Sequence, residues 1–545
     1  MRPRNRRSVC GGLIVAACVQ WGVGLAPVAA GPLYAAREWN ERRAAHLLRR
    51  AGFGGTPDEI RHLTDLGVRG AVDFLVDYEE IPQDHPAYQP FAIPSDRTLR
   101  KHVEQLGVRD ELERRALTKR IGQVYRQLHQ LQMLDLRAWW MERMVSTQRP
   151  LEEKMTFFWH GHFTSGFREV KNSEWMYRQN AFLRENALGS FRDLLVGISQ
   201  DPAMLKYLDN TSNRKDHPNE NYARELLELF TMGEGHYTEQ DVQEAARALT
   251  GWTIVDGKFK FNSKIHDPGV KRFQGQQGLF DGYDIIDIIL KRNAASRHLA
   301  TKLLEFFVRM DPPRHLVDAL EYELRLKRYD LRETMRTLLS SEAFYSDEAM
   351  FSLVKSPVEL VVGAVRLLEV KPEDVHALAL AAEMMGQNLF QPPNVKGWDG
   401  GLKWINTATL FTRYNFATGF IKGSGPSGRP DGMGMGMNMS AMRDAVETLK
   451  HDLSFSELKV PHRSIVSRPQ PEFDPTVIIE AEQLRTNEQV VDHLVERLLQ
   501  SDLDPVRRER LLEILSSGGP TDRPDPRRVS RLVVAIMCTP EFQVY

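Results

Sequence analysis

Helix start and stop signals recur along most of the chain and constrain its fold more than any other sequence feature. In one segment, Asn219 precedes a run at 220–232, and Gly233 lies just beyond that run. Asparagine is favoured at helix starts and glycine after helix ends, so these residues predict one helix. Its apolar face would consist of Tyr222, Leu226, Leu229 and Phe230.

Other segments carry the same signals. Residues 131–146 keep apolar side chains at helical spacing. Thr238 and Asp241 form a capping-box pattern that opens a helix reaching about Leu249. Later apolar periods predict further helices at 299–308, 331–339, 358–370, 487–499, 504–515 and 529–537.

Strand patterns are scarce. In residues 257–262, Phe259 and Phe261 alternate with lysines, which predicts one arm of a small hairpin. The composition, 42% apolar and 27% charged over 545 residues, is ordinary for a soluble protein with a large core. We therefore predict a mainly α fold: a large multi-helix globular unit with a small β-hairpin excursion.

The overall charge argues against binding to polyanions. Lysine and arginine together number 72, and aspartate and glutamate together number 73. Because these charges nearly cancel, no global field draws the chain to nucleic acid or to an anionic membrane surface. We expect no nucleic-acid partner.

The N-terminus has the three-part layout of a secretory signal peptide. Basic residues precede an apolar run at 9–26, and the small residues 28–30 follow it. This layout predicts cleavage near Ala30, export to the periplasm or beyond, and no integral membrane domain after processing. Two alternatives are an uncleaved membrane anchor and a lipoprotein that is lipidated at Cys18.

Residues 423–440 form the clearest interruption, since glycine, proline, serine and methionine replace the periodic pattern there. Cys538 is the one cysteine expected in the mature chain, so no intrachain disulfide is available. We predict four parts: a signal peptide at 1–30, a main helical domain at 40–422, a flexible linker or loop at 423–440, and a C-terminal helical segment at 441–545 that packs on the main domain.

Several phrases occur in a fixed order between about residues 40 and 420. They are HLLRRAGFG at 46–54, FWHGHF at 158–163, the run 219–233 followed by Tyr237 and Thr238, the run 245–252, His266 and Asp267 with Lys271, QPPNVKGW at 391–398, the run 404–406, and Arg413. In these phrases the chain resembles the domain of unknown function 1800 family, which is common in bacteria and generally exported. The resemblance implies one large helical unit and carries over no biochemical role.

His160 and His162 lie two positions apart near a predicted helix end. In an extended or helix-ending segment, both imidazoles can bind one metal ion. With His266 they would supply three ligands, which leaves one position for water in a catalytic site. A divalent metal is thus a candidate cofactor. The alternative is structural: one histidine caps a helix end and the other bonds a backbone carbonyl.

The helix at 220–232 carries the candidate catalytic residues Arg224, Glu225 and Glu228. The two glutamates border the apolar stripe, where a half-buried carboxylate needs a partner and can act as a general base. Two alternatives are a solvated ladder of Glu220, Arg224 and Glu228 at four-residue spacing, and a buried pair with Arg224.

Loops supply the remaining candidate site residues, because ligand-binding groups concentrate in loops on rigid scaffolds. His236 follows the 220–232 helix, and His266 and Asp267 lie in a later loop. Trp398 lies in a proline-stiffened segment that predicts a structural clamp. Together with Trp404, it also provides aromatic surface that can stack on a sugar ring.

Two functions follow from these candidates. The first is a metal-assisted hydrolase that acts on a cell-envelope or extracellular substrate. The second is a non-enzymatic envelope binding or scaffold protein, in which the His, Glu and Arg cluster is a structural network. Its partner would be an envelope polysaccharide or a protein.

Overall fold

The computed structural model describes residues 33–83, 85–93, 101, 104–105, 110–423, 472–501, 503–517 and 524–545. These residues are mainly α-helical with two small antiparallel hairpins, which confirms the predicted fold class. The predicted signal peptide and residues 424–440 of the predicted linker lie outside the described residues.

Helices form most of the described chain. The helices before the hairpins are α1 (Glu41–Arg50), α2 (Pro57–Val76), α3 (Glu111–Ser146), α4 (Pro150–His162), α5 (Phe167–Val170), α6 (Ser173–Glu185), α7 (Phe191–Gln200), α8 (Pro202–Tyr207), α9 (Asn221–Glu225), a π-helix (Leu226–Thr231) and α10 (Glu239–Ala248). Those after the hairpins are α11 (Gly282–Leu290), α12 (Asn293–Phe307), α13 (Arg314–Leu326), α14 (Leu331–Leu339), α15 (Pro357–Leu367), α16 (Val375–Met384), α17 (Thr407–Ile421), α18 (Thr476–Ala481), α19 (Asn487–Leu499), α20 (Pro505–Ser516) and α21 (Pro526–Met537).

Local capping explains where many of these helices begin. The predicted capping box of Thr238 and Asp241 is present at the start of α10. Ser356 and Glu359 form another at the start of α15, where proline occupies the first helical position. Each box satisfies backbone N–H groups that the helix itself cannot bond. Helices α14 and α19 have the predicted bounds, 331–339 and 487–499.

Helix α3 begins twenty residues before the predicted helix at 131–146. Its first ten residues are almost all exposed, and the apolar period appears only where the helix enters the core. An exposed helical stretch carries no apolar stripe, so periodicity did not reveal it.

The β structure consists of two hairpins between α10 and α11. Strand β1 (Trp252–Val255) pairs with β2 (Lys258–Phe261), so that Trp252 lies opposite Phe261. Strand β3 (Lys271–Phe273) pairs with β4 (Gln276–Gly278). The predicted strand at 257–262 is therefore the second arm of the first hairpin.

Two apolar cores lie side by side. The first is built from α1, α2, α7 and α10 to α14, and the second from α3, α15 to α17 and α19 to α21. Helix α4 joins them: Phe158 belongs to the first core and Phe157 to the second. Phe306 packs against both cores, so α4 and α12 meet at the boundary.

The segment from Glu541 to Tyr545 lies beside the start of α15. The backbone N–H of Tyr545 donates to the carbonyl of Leu353 at 3.0 Å, and Val544 forms a bridge with Val354. The buried Tyr545 hydroxyl donates to Glu359 at 2.6 Å. Among the described helices, we find none with both the length and the apolarity needed to cross a bilayer.

Candidate functional site

A cavity of about 590 Å³ lies at the boundary between the two cores; we call it the α4/α12 cavity. Its volume is within the range of roughly 300–1,000 Å³ that is typical of small-molecule sites. Its polar lining includes His162, Glu228, His298, Lys302, Glu305 and Lys396, and its aromatic lining includes Phe157, Phe158, Phe306, Trp398, Trp404 and Tyr545.

Helix α4 separates the two histidines of the predicted metal pair. At about 100° per residue, side chains two positions apart point to nearly opposite sides of a helix. His160 is buried beside Trp140 and Trp398, and its Nε2 accepts the backbone N–H of Phe390 at 3.1 Å. His162 lies at the end of the helix and lines the cavity. The pair therefore does not face one metal ion.

A π-helix beside His162 forms part of the cavity wall. The predicted helix at 220–232 is α-helical only to Glu225 and then widens into the π-helix. Nε2 of His162 lies 3.1 Å from the carbonyl oxygen of Phe230, and Nε2 of His298 lies 2.9 Å from that of Leu229. π-turns inside helices occur frequently at functional sites.

These contacts fix the tautomers of both histidines. A carbonyl oxygen only accepts hydrogen bonds, so Nε2 must carry the proton in each ring. Burial lowers the pKa of His162 to about 3 and that of His298 to about 4, so both rings are neutral near pH 7. In a neutral ring protonated at Nε2, Nδ1 is an acceptor. The cavity wall is therefore uncharged at these two positions.

The wider turn also changes the predicted acidic face. The predicted pair of Glu220 and Arg224 is present at 3.1 Å, whereas the predicted pair of Arg224 and Glu228 is not. Arg224 instead bonds Glu239 at 2.8 Å, because the π-helix breaks the four-residue alignment. Arg224 therefore belongs to a partly exposed ion-pair network outside the cavity.

Glu228 and Glu225 lie in different surroundings. The Tyr237 hydroxyl donates to Glu228 at 2.6 Å, and Glu228 lines the cavity. Glu225 is half-buried outside the lining residues, and burial, together with the nearby charge of Glu228, raises its pKa. The two carboxylates are therefore coupled electrostatically, while only one lines the cavity.

The loop candidates lie elsewhere. His236 is exposed in the turn after the π-helix. The Nδ1 of His266 donates to the carbonyl of Thr250 at 2.8 Å. Asp267 pairs with Arg247 at 2.8 Å. These contacts hold the loop between the hairpins against α10, so His266 and Asp267 are structural in this arrangement.

The three predicted metal ligands are thus not assembled. His160 lies behind Trp398, His162 faces the π-helix, and His266 lies beside α10. In the part of the chain that the structure describes, no group of three or more His, Cys, Asp or Glu side chains is placed to hold a metal ion.

The segment Gln391 to Trp398 packs against the end of α4. The Thr164 hydroxyl donates to the carbonyl of Val395 at 2.5 Å. Gly397 has a φ of 80°, and a Cβ there would lie 2.6 Å from the carbonyl oxygen of Gly161. This close approach requires glycine and brings Trp398 to the cavity.

Helix α12 contributes the lining residues that the sequence analysis missed. His298, Lys302 and Glu305 share one face of this helix at spacings of four and three. Lys302 and Glu305 form an ion pair at 3.1 Å. A polar stripe on a helix with an apolar face is usually solvated, so this signal was available but not distinctive.

Ion pairs surround the cavity. Lys396 lies 3.7 Å from Glu234, and Lys403 lies 2.8 Å from Asp399. At the floor, burial raises the pKa of Glu359, but the bonded ammonium of Lys154 and the Tyr545 hydroxyl outweigh burial and leave this pKa below its ordinary value. Glu359 therefore remains ionised beneath the cavity.

Comparison with known proteins identifies one family. The sequence model of a family described as "Protein of unknown function (DUF1800)" matches residues 46–544. No curated protein and no solved structure matches the chain. The matched range includes α4, the π-helix, α12 and the segment that carries Trp398, so the elements around the cavity lie within it. The chain therefore belongs to the DUF1800 family.

Proposed function

We propose that this is an exported binding protein for an envelope saccharide and that the α4/α12 cavity is its binding site. The observation that supports the proposal best is that one cavity joins two tryptophans to a dense set of hydrogen-bonding groups. Export is proposed from the N-terminal sequence, and a secreted chain that begins near Gly31 would support it.

The aromatic lining suits the apolar faces of sugar rings. Trp398 and Trp404 line the cavity on either side of Gly400 and Gly401. Indole rings bury large apolar area while keeping an N–H that can donate a hydrogen bond. Aromatic stacking favours ring-shaped ligands.

The polar lining suits hydroxyl groups. Neutral His162 and His298 lie beside carboxylates and the ammonium groups of Lys302 and Lys396. A hydroxyl both donates and accepts hydrogen bonds, so it can use either kind of group. We propose Glu228, His162 and Trp398 as binding residues from the predicted set. Binding is preferred to metal-assisted hydrolysis because His160, His162 and His266 lie apart.

The Trp398→Ala variant tests the proposal. Loss of the stacking surface should weaken saccharide binding by about tenfold, or ~1.4 kcal/mol. Titration calorimetry with soluble envelope-glycan fragments measures this change. Tyr322→Ala is the matched control, because Tyr322 is 61% exposed on α13 and outside the cavity. The proposal fails if no fragment binds the wild type, or if Trp398→Ala binds as the wild type does.

A further inference from the structure

We propose that the saccharide carries a protonated amino group and that the Glu228 carboxylate receives it. This inference rests on the proposed function and adds the chemical class of the ligand. It is argued from the charges, the ion pairs and the aromatic rings around the α4/α12 cavity.

Carboxylates outnumber cations in the lining. The ammonium groups of Lys302 and Lys396 are the lining cations among the described residues, and the two histidines are neutral. The lining carboxylates are Glu228, Glu234, Glu305, Glu359 and Asp399. When Lys154 and Lys403, which pair with Glu359 and Asp399 from outside the lining, are counted as well, one carboxylate remains in excess. This excess favours a cationic ligand over phosphates, sulfates and uronic acids.

Ion pairing singles out Glu228 among these carboxylates. Glu305 pairs with Lys302 and Glu234 with Lys396. Asp399 and Glu359 likewise pair with Lys403 and Lys154. Within the described ranges, Glu228 has the Tyr237 hydroxyl as a partner but no lysine or arginine within ion-pair distance. A half-buried carboxylate without a cation gains from a ligand that supplies one.

The neighbouring charge of Glu225 strengthens this preference. Burial raises the pKa of Glu225 most and repulsion from Glu228 adds to it, while the charges of Lys396 and Arg224 partly offset both. Glu225 also lacks an ion pair among the described residues. A ligand cation beside Glu228 would relieve the repulsion, so the pair favours an ammonium group over a neutral hydroxyl.

Aromatic faces supply the second part of a cation site, independently of the carboxylates. A cation above an aromatic face is attracted by the ring quadrupole. The lining contains Phe158, Phe306, Trp398 and Trp404. Within this one cavity, an amino sugar therefore meets indole rings that suit its sugar ring, and it meets aromatic rings and the Glu228 carboxylate that suit its ammonium group.

The protein already binds one of its own ammonium groups in this way. Nζ of Lys154 lies 5.4 Å from the ring centre of Phe306 and 5.1 Å from that of Tyr545. The same Nζ donates to Glu359. Phe306, Tyr545 and Glu359 also line the cavity floor, so a carboxylate with aromatic rings holds an ammonium group directly behind the site.

Two matched ligands test the inference: oligomers of glucosamine and oligomers of N-acetylglucosamine of the same length. At about pH 6 most amines of the first carry a proton, whereas the amides of the second carry none. Calorimetry should give binding of the amine oligomer that is about tenfold tighter. Glu228→Gln should remove this difference by weakening the amine oligomer alone. The control variant Glu239→Gln changes an exposed carboxylate on α10 and should leave the difference between the two oligomers unchanged.

The outcomes separate the inference from the function on which it rests. Equal binding of both oligomers, with both weakened by Trp398→Ala, would overturn the cationic ligand and keep the saccharide site. Binding of neither oligomer would count against both the cationic ligand and the saccharide site. Binding of trilysine without either oligomer would replace the saccharide with a basic peptide. Thermal melting of Glu228→Gln and Glu239→Gln checks that both variants are folded.

Discussion

Position within a helix decides the roles of His160 and His162. Both follow an apolar run and differ only by two positions, yet one is a buried acceptor for Phe390 and the other donates to the π-helix. The structural alternative in the sequence analysis described such bonds to the backbone. Sequence spacing alone could not choose between them, because an extended segment would have placed both rings on one side.

Glu225 illustrates a carboxylate whose charge opposes folding. Its folded-state pKa is raised, so the folded chain binds a proton more readily than the unfolded chain does. Its contribution to stability therefore falls as the pH rises from the ordinary carboxyl pKa through the raised one. The substitution Glu225→Gln removes the charge and with it this unfavourable contribution to stability.

We expect Glu225→Gln to leave the free energy of unfolding at pH 7 equal or higher, by less than about 1 kcal/mol. Denaturant unfolding measures this change. Saccharide binding should persist, since Glu225 does not line the cavity, but the preference for the amine oligomer should decrease because the charge of Glu225 beside Glu228 is lost. A loss of ~3–5 kcal/mol would instead indicate a buried ion pair that the variant breaks.

At the scale of elements, the π-helix and the turn after it shape the cavity wall. Gly233 has a φ of 80°, and a Cβ there would lie 3.0 Å from Nδ1 of His298. Gly235, two residues later, has a φ of 82°, but no atom lies within 4 Å of its Cβ position. The two glycines thus share a backbone conformation that disfavours residues with a Cβ, and they differ in steric contact.

Gly233→Ala should therefore destabilise the protein by about 1–3 kcal/mol and weaken ligand binding. Gly235→Ala is the matched control, since it has only the backbone cost. Denaturant unfolding and calorimetry on both variants separate the two terms. Equal effects of the two substitutions would show that contact with His298 does not matter.

Local signals predicted the helices well and the site poorly. The capping box at Thr238 and the bounds of α14 depend on residues close in sequence, so they could be predicted. The widening at Leu226 has no such local signal. The carbonyls of Phe230 and Leu229 in the π-helix accept hydrogen bonds from His162 and His298. Each histidine lies more than sixty residues away along the chain, one before the π-helix and one after it. The site therefore depended on contacts that only the tertiary structure brings together.

At the scale of the whole molecule, buried neutral histidines make stability depend on pH. Burial lowers the pKa of His160 to about 3 and that of His129 to about 4, from an ordinary value near 6.5. His162 and His298 are lowered similarly. Below about pH 6.5 the unfolded chain binds protons that the folded chain does not, so stability falls as the pH falls.

Between pH 6.5 and 5, we expect the free energy of unfolding to decrease by up to about 1.4 kcal/mol per pH unit for each such histidine. Carboxyl groups with lowered pKa values titrate below this window. Burial raises the pKa of Asp201 to about 7, so within the window Asp201 offsets about one of the histidine protons. Urea unfolding at several pH values gives the slope of the free energy of unfolding against pH. His160→Gln should reduce this slope by the equivalent of about one proton. A flat profile between pH 6.5 and 5 would show that these histidines are not held neutral.

The contacts of Tyr545 have a consequence for how the protein is made. Arg50, Lys154 and Glu359 all contact this one side chain, although more than a hundred residues separate each of them from the next along the chain. A ribosome releases a polypeptide from its N-terminus onward. Residue 545 is delivered after every other part of the floor. The floor of the α4/α12 cavity therefore cannot be complete until the segment that carries Tyr545 has been synthesised.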